Sequence, residues 1–387
     1  MTNLFLFLIL FVIVSYSLSL YSEKSKSRVV ISENKIISLD RNSISYMAIL
    51  SLIPVLLVTF RDRTTGTDTE SYFMHFTYGE SYMEKQIKES GEFLFWFIFK
   101  FCKVYFDIRV AFFIFAFISI LFGFFAIFKL SNRANVFVMT MIYLLLYYQE
   151  CFNILRQMCA MAFVFLGYSY LLDKKNKMFI ALIIIAFMFH SSSIFALPLL
   201  FIYENKKLSG IGGIIGVLVS IFLVAQLPNI FSYISDTLGI TRFAGYAEDF
   251  SKNNWSDLGW LKSFLLSVPA YFILFVIQCS NQDKLDKSSN LDISFFWYTI
   301  LIVSACSIMR MYTNWIFRIG YYYQLGGIIF AGVVCKSKSD TNIRSLVFEK
   351  NSFMNTSYIL LYYTFYYFFL NYYNNFATSA LVNFKLN

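Results

Sequence analysis

The chain has 387 residues, 58% hydrophobic and 14% charged, with 32 Lys and Arg against 23 Asp and Glu for a net charge of +9. An ordinary soluble domain is about one-half apolar and about one-quarter charged, and the 47 Phe, 28 Tyr and 5 Trp here exceed what a soluble fold could bury without aggregating. Composition therefore excludes a soluble enzyme, a disordered chain and a disulfide-rich secreted domain, and leaves an integral membrane protein. Only 4 Pro and several long apolar runs favour an all-α, polytopic helical bundle over a β-barrel.

The first apolar run, Leu4 to Leu20, lacks a basic leader and a small-residue cleavage site, and is read as a retained span. The loop after it carries Lys24, Lys26, Arg28, Lys35 and Arg41, which places it in the cytoplasm. A second span, Ile44 to Phe60, then returns to the outer side. Beyond it lies a polar stretch, Arg61 to Gly91, and a short run, Glu92 to Phe106, interrupted by Lys100 and Lys103. Crossing needs about 20 apolar residues, so this run is expected to be an interfacial or re-entrant helix. The outer loop spans about 61–108.

Spans follow at Val110 to Phe128, Asn135 to Tyr148 and Gln157 to Leu172, with basic connectors at Lys129 to Arg133 and Asp173 to Lys177 on the inner side. Met178 to Tyr203 contains FHSSS at its middle and ends at ENKK. A pair of half-helices turning at His190 to Ser193 keeps both basic ends inside. Further spans are Ile211 to Leu227, Leu261 to Cys279, Ile293 to Met309, Ile316 to Cys335 and Tyr358 to Tyr373, with an outer loop of about 228–260 holding Trp255 and Trp260. The expectation is one membrane domain, 1–387, of about 10–12 membrane segments. Asp68, Asn153 and Tyr246 should face out, and Lys175, Lys206 and Lys338 in.

The six cysteines lie in or beside apolar segments and form no CxxC pair, so neither a zinc site nor a disulfide framework is indicated. Phosphate-cradling glycine motifs, HExxH and GxSxG are absent, and two histidines cannot build a multi-His metal site. Four polar groups remain. In TGTDTESY, Asp68 could act as a general base towards a sugar hydroxyl, or Asp68 or Thr69 could cap a helix with Tyr72 on its first turn. In NILRQ, Asn153, Arg156, Gln157 and Ala160 share one face if helical. Arg156 could hold a phosphate or snorkel at the interface. No acidic residue lies one turn from Arg156 or Arg318; Glu150 is the closest to Arg156 but on another face. His190 and its serines could line an aqueous cavity, donate to a phosphate, or only bond neighbouring helices. In RMYTNWIFRIGYYY, Arg310, Asn314 and Arg318 recur every four residues, with Tyr321 and Tyr322 one turn on.

The order of these elements resembles a known family. A loop with TGTDTESY precedes NILRQMCAMAF, a basic KKNK loop, AFMFHSSSIFALPLL and a late span with Arg and then Tyr-Tyr. This is similar to the EpsG-like branch of the Wzy-type polymerases of O-antigen, capsule and exopolysaccharide. Thr69 stands where that family has a Tyr directly after the loop Asp, and Tyr72 follows three residues on. The resemblance implies a multi-pass glycosyltransferase of the bacterial inner membrane. Such an enzyme moves a glycan from an undecaprenyl-pyrophosphate donor to a lipid-linked repeat unit on the periplasmic face, with no cofactor and no obligatory metal. It also implies membrane lipids, chain-length regulators and flippases as partners, and no nucleic acid. Asp68 and His190 are then the expected catalytic residues, one of them the acceptor base with Asp68 favoured because the acceptor approaches from the outer loop, and Arg156, Arg318, Asn153, Gln157, Arg63, Arg310 and Tyr322 the expected substrate and pyrophosphate ligands. The alternative is a lipid-linked oligosaccharide flippase or polysaccharide transporter, a class that commonly carries internal repeats, which this chain does not show.

Overall fold

A computed structural model describes residues 2–30, 40–200, 226–238, 287–309, 316–336, 352–373 and 381–386. Among them the chain is helical, with one isolated bridge between Arg61 and Leu386. The apolar runs become α1 (Thr2–Val30), α2 (Arg41–Thr59), α6 (Ile108–Lys129), α7 (Val136–Tyr147), α8 (Leu155–Leu172) and α9 (Asn176–Phe189). The polar stretch between α2 and α6 holds α3 (Thr69–Thr77), α4 (Glu80–Glu89) and α5 (Phe93–Tyr105). Later helices are α10 (Leu227–Leu238), α11 (Lys287–Met309), α12 (Ile316–Val334) and α13 (Ser352–Tyr373). Of the described helices, α1, α2, α6 and α8 are long and apolar enough to cross a membrane. The chain is a polytopic helical membrane protein.

Several helices start where a side chain satisfies their orphan N–H groups. Asp40 accepts from Ser43 N at 2.9 Å, Asp107 from Arg109 N at 2.8 Å, and Asn135 from Val138 N at 3.1 Å. The span expected at Asn135 to Tyr148 is shorter as an α-helix, because the chain tightens into a 3-10 turn over Tyr148–Phe152.

The two ends of the bundle differ in charge. At one end the tail of α1 meets the start of α2 and the end of α6, with Tyr21 stacked on Tyr46 at 4.1 Å and 6.1 Å from Phe128. There Lys129 and Arg133 both pair with Asp173, and the Asn135 amide donates to the Cys335 carbonyl. The connectors read from sequence as cytoplasmic thus gather at one end. The opposite end holds the loop after α2, the turn before α8, the amino terminus and the carboxy-terminal tail. Thr67 N donates to Asn153 Oδ1 at 2.8 Å, Asp62 N to the Lys385 carbonyl at 2.8 Å, and Asn3 to the Val382 carbonyl at 3.0 Å.

The stretch expected as loop is more ordered than its composition suggests. In α4 Met83 is the buried residue and the charged positions face outward, so no apolar stripe marked it as a helix. At the helical rise α5 spans roughly 20 Å, too short to cross. It buries Phe95, Trp96, Phe99 and Cys102 and exposes Phe93, Phe97 and Phe101, the face that a helix lying on lipid presents. Its two lysines explain why it stays there. Lys100 pairs with Glu84 at 2.7 Å, and Lys103 donates to the carbonyls of Phe76 and Tyr78. Both tie α5 to the polar helices above it.

The break expected at FHSSS is present. The helix α9 ends at Phe189, His190 is extended at φ −154° and ψ 116°, and Ser191–Ala196 form a 3-10 turn. The chain runs on through this turn into helix at 198–200; the last residues of the expected hairpin (201–203), most of the span at 211–227, the span at 261–279, most of the outer loop 228–260, and Lys206, Tyr246, Arg310 and Lys338 lie outside the described residues.

With the basic connectors inside, a single cysteine at Thr67 in a cysteine-free background should react with an impermeant thiol reagent in intact cells. One at Lys175 should react only after permeabilisation. The opposite pattern would invert the bundle.

Candidate active site

Glu92 begins α5 at the position of a helix cap, yet its carboxylate caps nothing. It is fully buried and turned to two other elements: Oε2 accepts from Arg156 Nη1 at 2.7 Å, and Oε1 lies 2.6 Å from His190 Nδ1. Arg156 is the second residue of α8, and His190 closes α9. Three elements distant in sequence thus meet at one carboxylate. A buried charge is tolerated when paired and hydrogen-bonded, and both of its oxygens are engaged. A carboxylate that accepts from Arg156 accepts also from Nδ1–H, which directs Nε2 of the imidazole away from it.

Arg156, with no acidic residue one turn away in sequence, is nonetheless paired with an acid. Its partner is 64 residues away in sequence, so no helical spacing rule could find it. Asn153 is corrected as well: α8 starts at Leu155, leaving Asn153 in the preceding turn and off the face of Arg156 and Gln157. There its Oδ1 accepts from the backbone and hydroxyl of Thr67. Gly66 makes this contact feasible. Its φ is +87°, and a Cβ would lie 2.5 Å from the Phe152 carbonyl oxygen and 2.9 Å from Asn153 Oδ1, so only glycine fits.

Asp68 takes the capping position of α3, and its carbonyl accepts from Tyr72 N at 3.1 Å, but its carboxylate makes no capping bond. That carboxylate accepts from the Thr67 hydroxyl at 3.2 Å and is partly exposed. Tyr72, buried one turn on, links it to the Glu92 cluster. Burial raises the Tyr72 hydroxyl above its ordinary pKa, Arg156 lowers it through charge and a hydrogen bond, Asp68 raises it, and Arg61 lowers it. Arg61 is itself buried, 3.9 Å above the Phe112 ring. Burial pulls its guanidinium down to about 10. Arg63 is not brought to this site: it forms a two-toothed pair with Glu70 at 2.6 and 2.8 Å, both side chains about half exposed.

The late span reaches the same region. Gln157 Nε2 donates to the Arg318 carbonyl at 2.6 Å, Ser192 Oγ lies 3.1 Å from the Tyr322 hydroxyl, and the Tyr323 hydroxyl donates to the Phe195 carbonyl. The side chain of Arg318 is partly buried. Around the cluster, several buried polar atoms have no hydrogen-bond partner among the described residues: Arg61 Nε and Nη2, Gln157 Oε1, Ser191 Oγ, Ser193 Oγ and Trp96 Nε1. Unmet polar groups in a folded interior are uncommon and expensive, about 1–3 kcal/mol each.

Fold and site together define a polytopic membrane protein with a buried carboxylate–guanidinium–imidazole group at the bundle end opposite its basic loops. A family model matches residues 44–386, and the chain belongs to the EpsG family, a polymerase-like family of exopolysaccharide synthesis. No curated protein and no solved structure matches the chain.

Glu92 was the residue that sequence reading missed. Its one signal was an acid abutting the apolar FLFWF run, where burial makes an unpaired charge improbable. Because Glu92 and Arg156 neutralise each other in a buried setting, Glu92→Gln or Arg156→Gln alone should destabilise by about 3 kcal/mol, and the double variant by less than the sum. Thermal unfolding of the four proteins in detergent measures this. Additive effects would mean that the pair does not form.

Proposed function

We propose that the chain is an exopolysaccharide polymerase. It transfers a growing glycan from an undecaprenyl-pyrophosphate donor to a lipid-linked repeat unit at the outer face of the bacterial inner membrane. Family membership supports the class. The observation that carries the mechanism is Glu92 holding both Arg156 and His190.

The acceptor hydroxyl attacks C1 of the donor sugar. The C1–O bond to pyrophosphate breaks with its electrons going to the leaving group, and the hydroxyl proton must go to a base. His190, its Nδ1 held by Glu92, takes that proton on Nε2 in this reading, as a carboxylate-oriented imidazole does elsewhere. Asp68, at the more open side beyond Tyr72, is the other candidate. Arg156 and Arg318 stabilise the charge that grows on the pyrophosphate, more in the transition state than in the ground state. Gln157, Asn153 and Tyr322 shape and hold the surrounding segments. The reaction as drawn uses no metal.

His190→Ala should lower polymer synthesis by about 100-fold or more at normal protein level, while Asp68→Asn reduces it less. Normal polymer from His190→Ala together with its loss in Asp68→Asn moves the base to Asp68. Deleting the gene should leave single-repeat, lipid-linked product at the outer face; accumulation at the cytoplasmic face would favour a flippase.

Lys preserves charge but not the planar fork of Arg. Arg156→Lys and Arg318→Lys should therefore each lose most activity in a polymer assay with normal membrane insertion. Near-normal chain length in both variants would reduce these arginines to helix anchors.

A further inference from the structure

Next to Arg156 lies a group of rings that the chemistry above does not use. His75 on α3 stacks on Tyr82 of α4 at 5.7 Å with 17° between planes. Tyr78 meets the edge of Tyr82 at 4.8 Å, and Trp96 of α5 meets His75 at 5.9 Å and Tyr82 at 6.1 Å. The Arg156 guanidinium is 5.6 Å from the Trp96 ring. We propose that His75, Tyr78 and Tyr82, backed by the buried Trp96, form a platform that seats a pyranose ring of the glycan beside Arg156. The proposal rests on the polymerase reading and names a sugar subsite for it.

Four observations converge on it. Tyr78 is 44% exposed, and His75 and Tyr82 are partly exposed, while Trp96 is buried behind them, so three of the rings are open to a ligand and the fourth backs them. They do not face lipid: α4, which supplies Tyr82, carries Glu80, Glu84, Lys85 and Lys88 on its exposed positions, a surface suited to water. The apolar C–H face of a pyranose matches the electron-rich face of an aromatic ring, while its hydroxyls need polar partners at the rim. Burial and the nearby Arg156 charge also hold His75 below its ordinary pKa, so at neutral pH it presents an uncharged ring with a nitrogen able to accept. Continuity with Arg156 puts the seated sugar next to the group assigned to the pyrophosphate.

The test uses the full-length protein in nanodiscs and the lipid-free oligosaccharide repeat released from the host's own polymer. Saturation transfer from aromatic protons should reach the ring protons of the sugar, and Tyr78→Ala and Tyr82→Ala should each cut it. In the polymer assay each Ala variant should raise KM about fivefold to tenfold with kcat little changed, the scale of one lost aromatic contact, and Tyr82→Phe should behave as wild type. Competition of the oligosaccharide against single-repeat or long-chain substrate tells whether the seated ring belongs to acceptor or donor. Unchanged KM and unchanged transfer in both Ala variants of an active enzyme overturn the platform, as does a Tyr82→Phe loss equal to that of Ala. A wild-type protein that shows saturation transfer but makes no polymer overturns the polymerase reading and leaves the platform standing.

Discussion

A carboxylate sealed from water at the start of α5 can exist only where cations and donors reach it, and this requirement organises the functional end of the molecule. Glu92 has no exposed surface and makes its two contacts with α8 and the end of α9. Satisfying it brings together three segments that chain order keeps apart. The interaction is directional at both oxygens, so it fixes the rotation of α5 as well as its position. It also sets which nitrogen of His190 is turned towards the rest of the site.

The remainder of that end is built from close backbone approaches and aromatic packing. Gly66 lets the loop after α2 lie against the Phe152 carbonyl, and Thr69 Oγ1 donates to that same carbonyl at 3.1 Å. The tail at 381–386 closes over the loop: Lys385 N donates to Thr65 Oγ1 at 3.3 Å, and Phe384 packs on Phe7 and Phe152. Arg61, with donors left over and an aromatic ring beneath it, sits under this closure.

A second consequence concerns α5. Its lysines made it a poor span by composition, and its contacts show why it is not one. Lys100 and Lys103 reach the polar helices α3 and α4, Phe95, Trp96, Phe99 and Cys102 are buried in the bundle, and Phe93, Phe97 and Phe101 remain exposed. The helix is held by polar ties along its flank and apolar burial on its inner face, with Glu92 at its tip.

Much of this protein was written into composition and pattern. Long apolar runs can satisfy their backbone in a bilayer only as helices, so class, most span positions and the clustering of the basic connectors were legible residue by residue. The break at His190 was legible too, because a polar run in an apolar segment has few other outlets. Motif order pointed to the family for the same reason: it is a linear property. Tertiary structure alone decided that Arg156 has a partner, that Glu92 is that partner, that Asn153 leaves the helix and braces Thr67, and that Arg63 turns to Glu70 and away from the site. All but the last depend on which helix faces meet across 60 or more residues or on where a helix begins by one turn; the Arg63–Glu70 pair, seven residues apart, depends on how the loop turns into α3. Local periodicity reports the face a residue occupies on its own helix, not what stands opposite. The start of α3 at Asp68–Thr69 was legible as a helix cap, but α4 was hidden: its apolar positions are few and become meaningful only once α5 is in place to cover them.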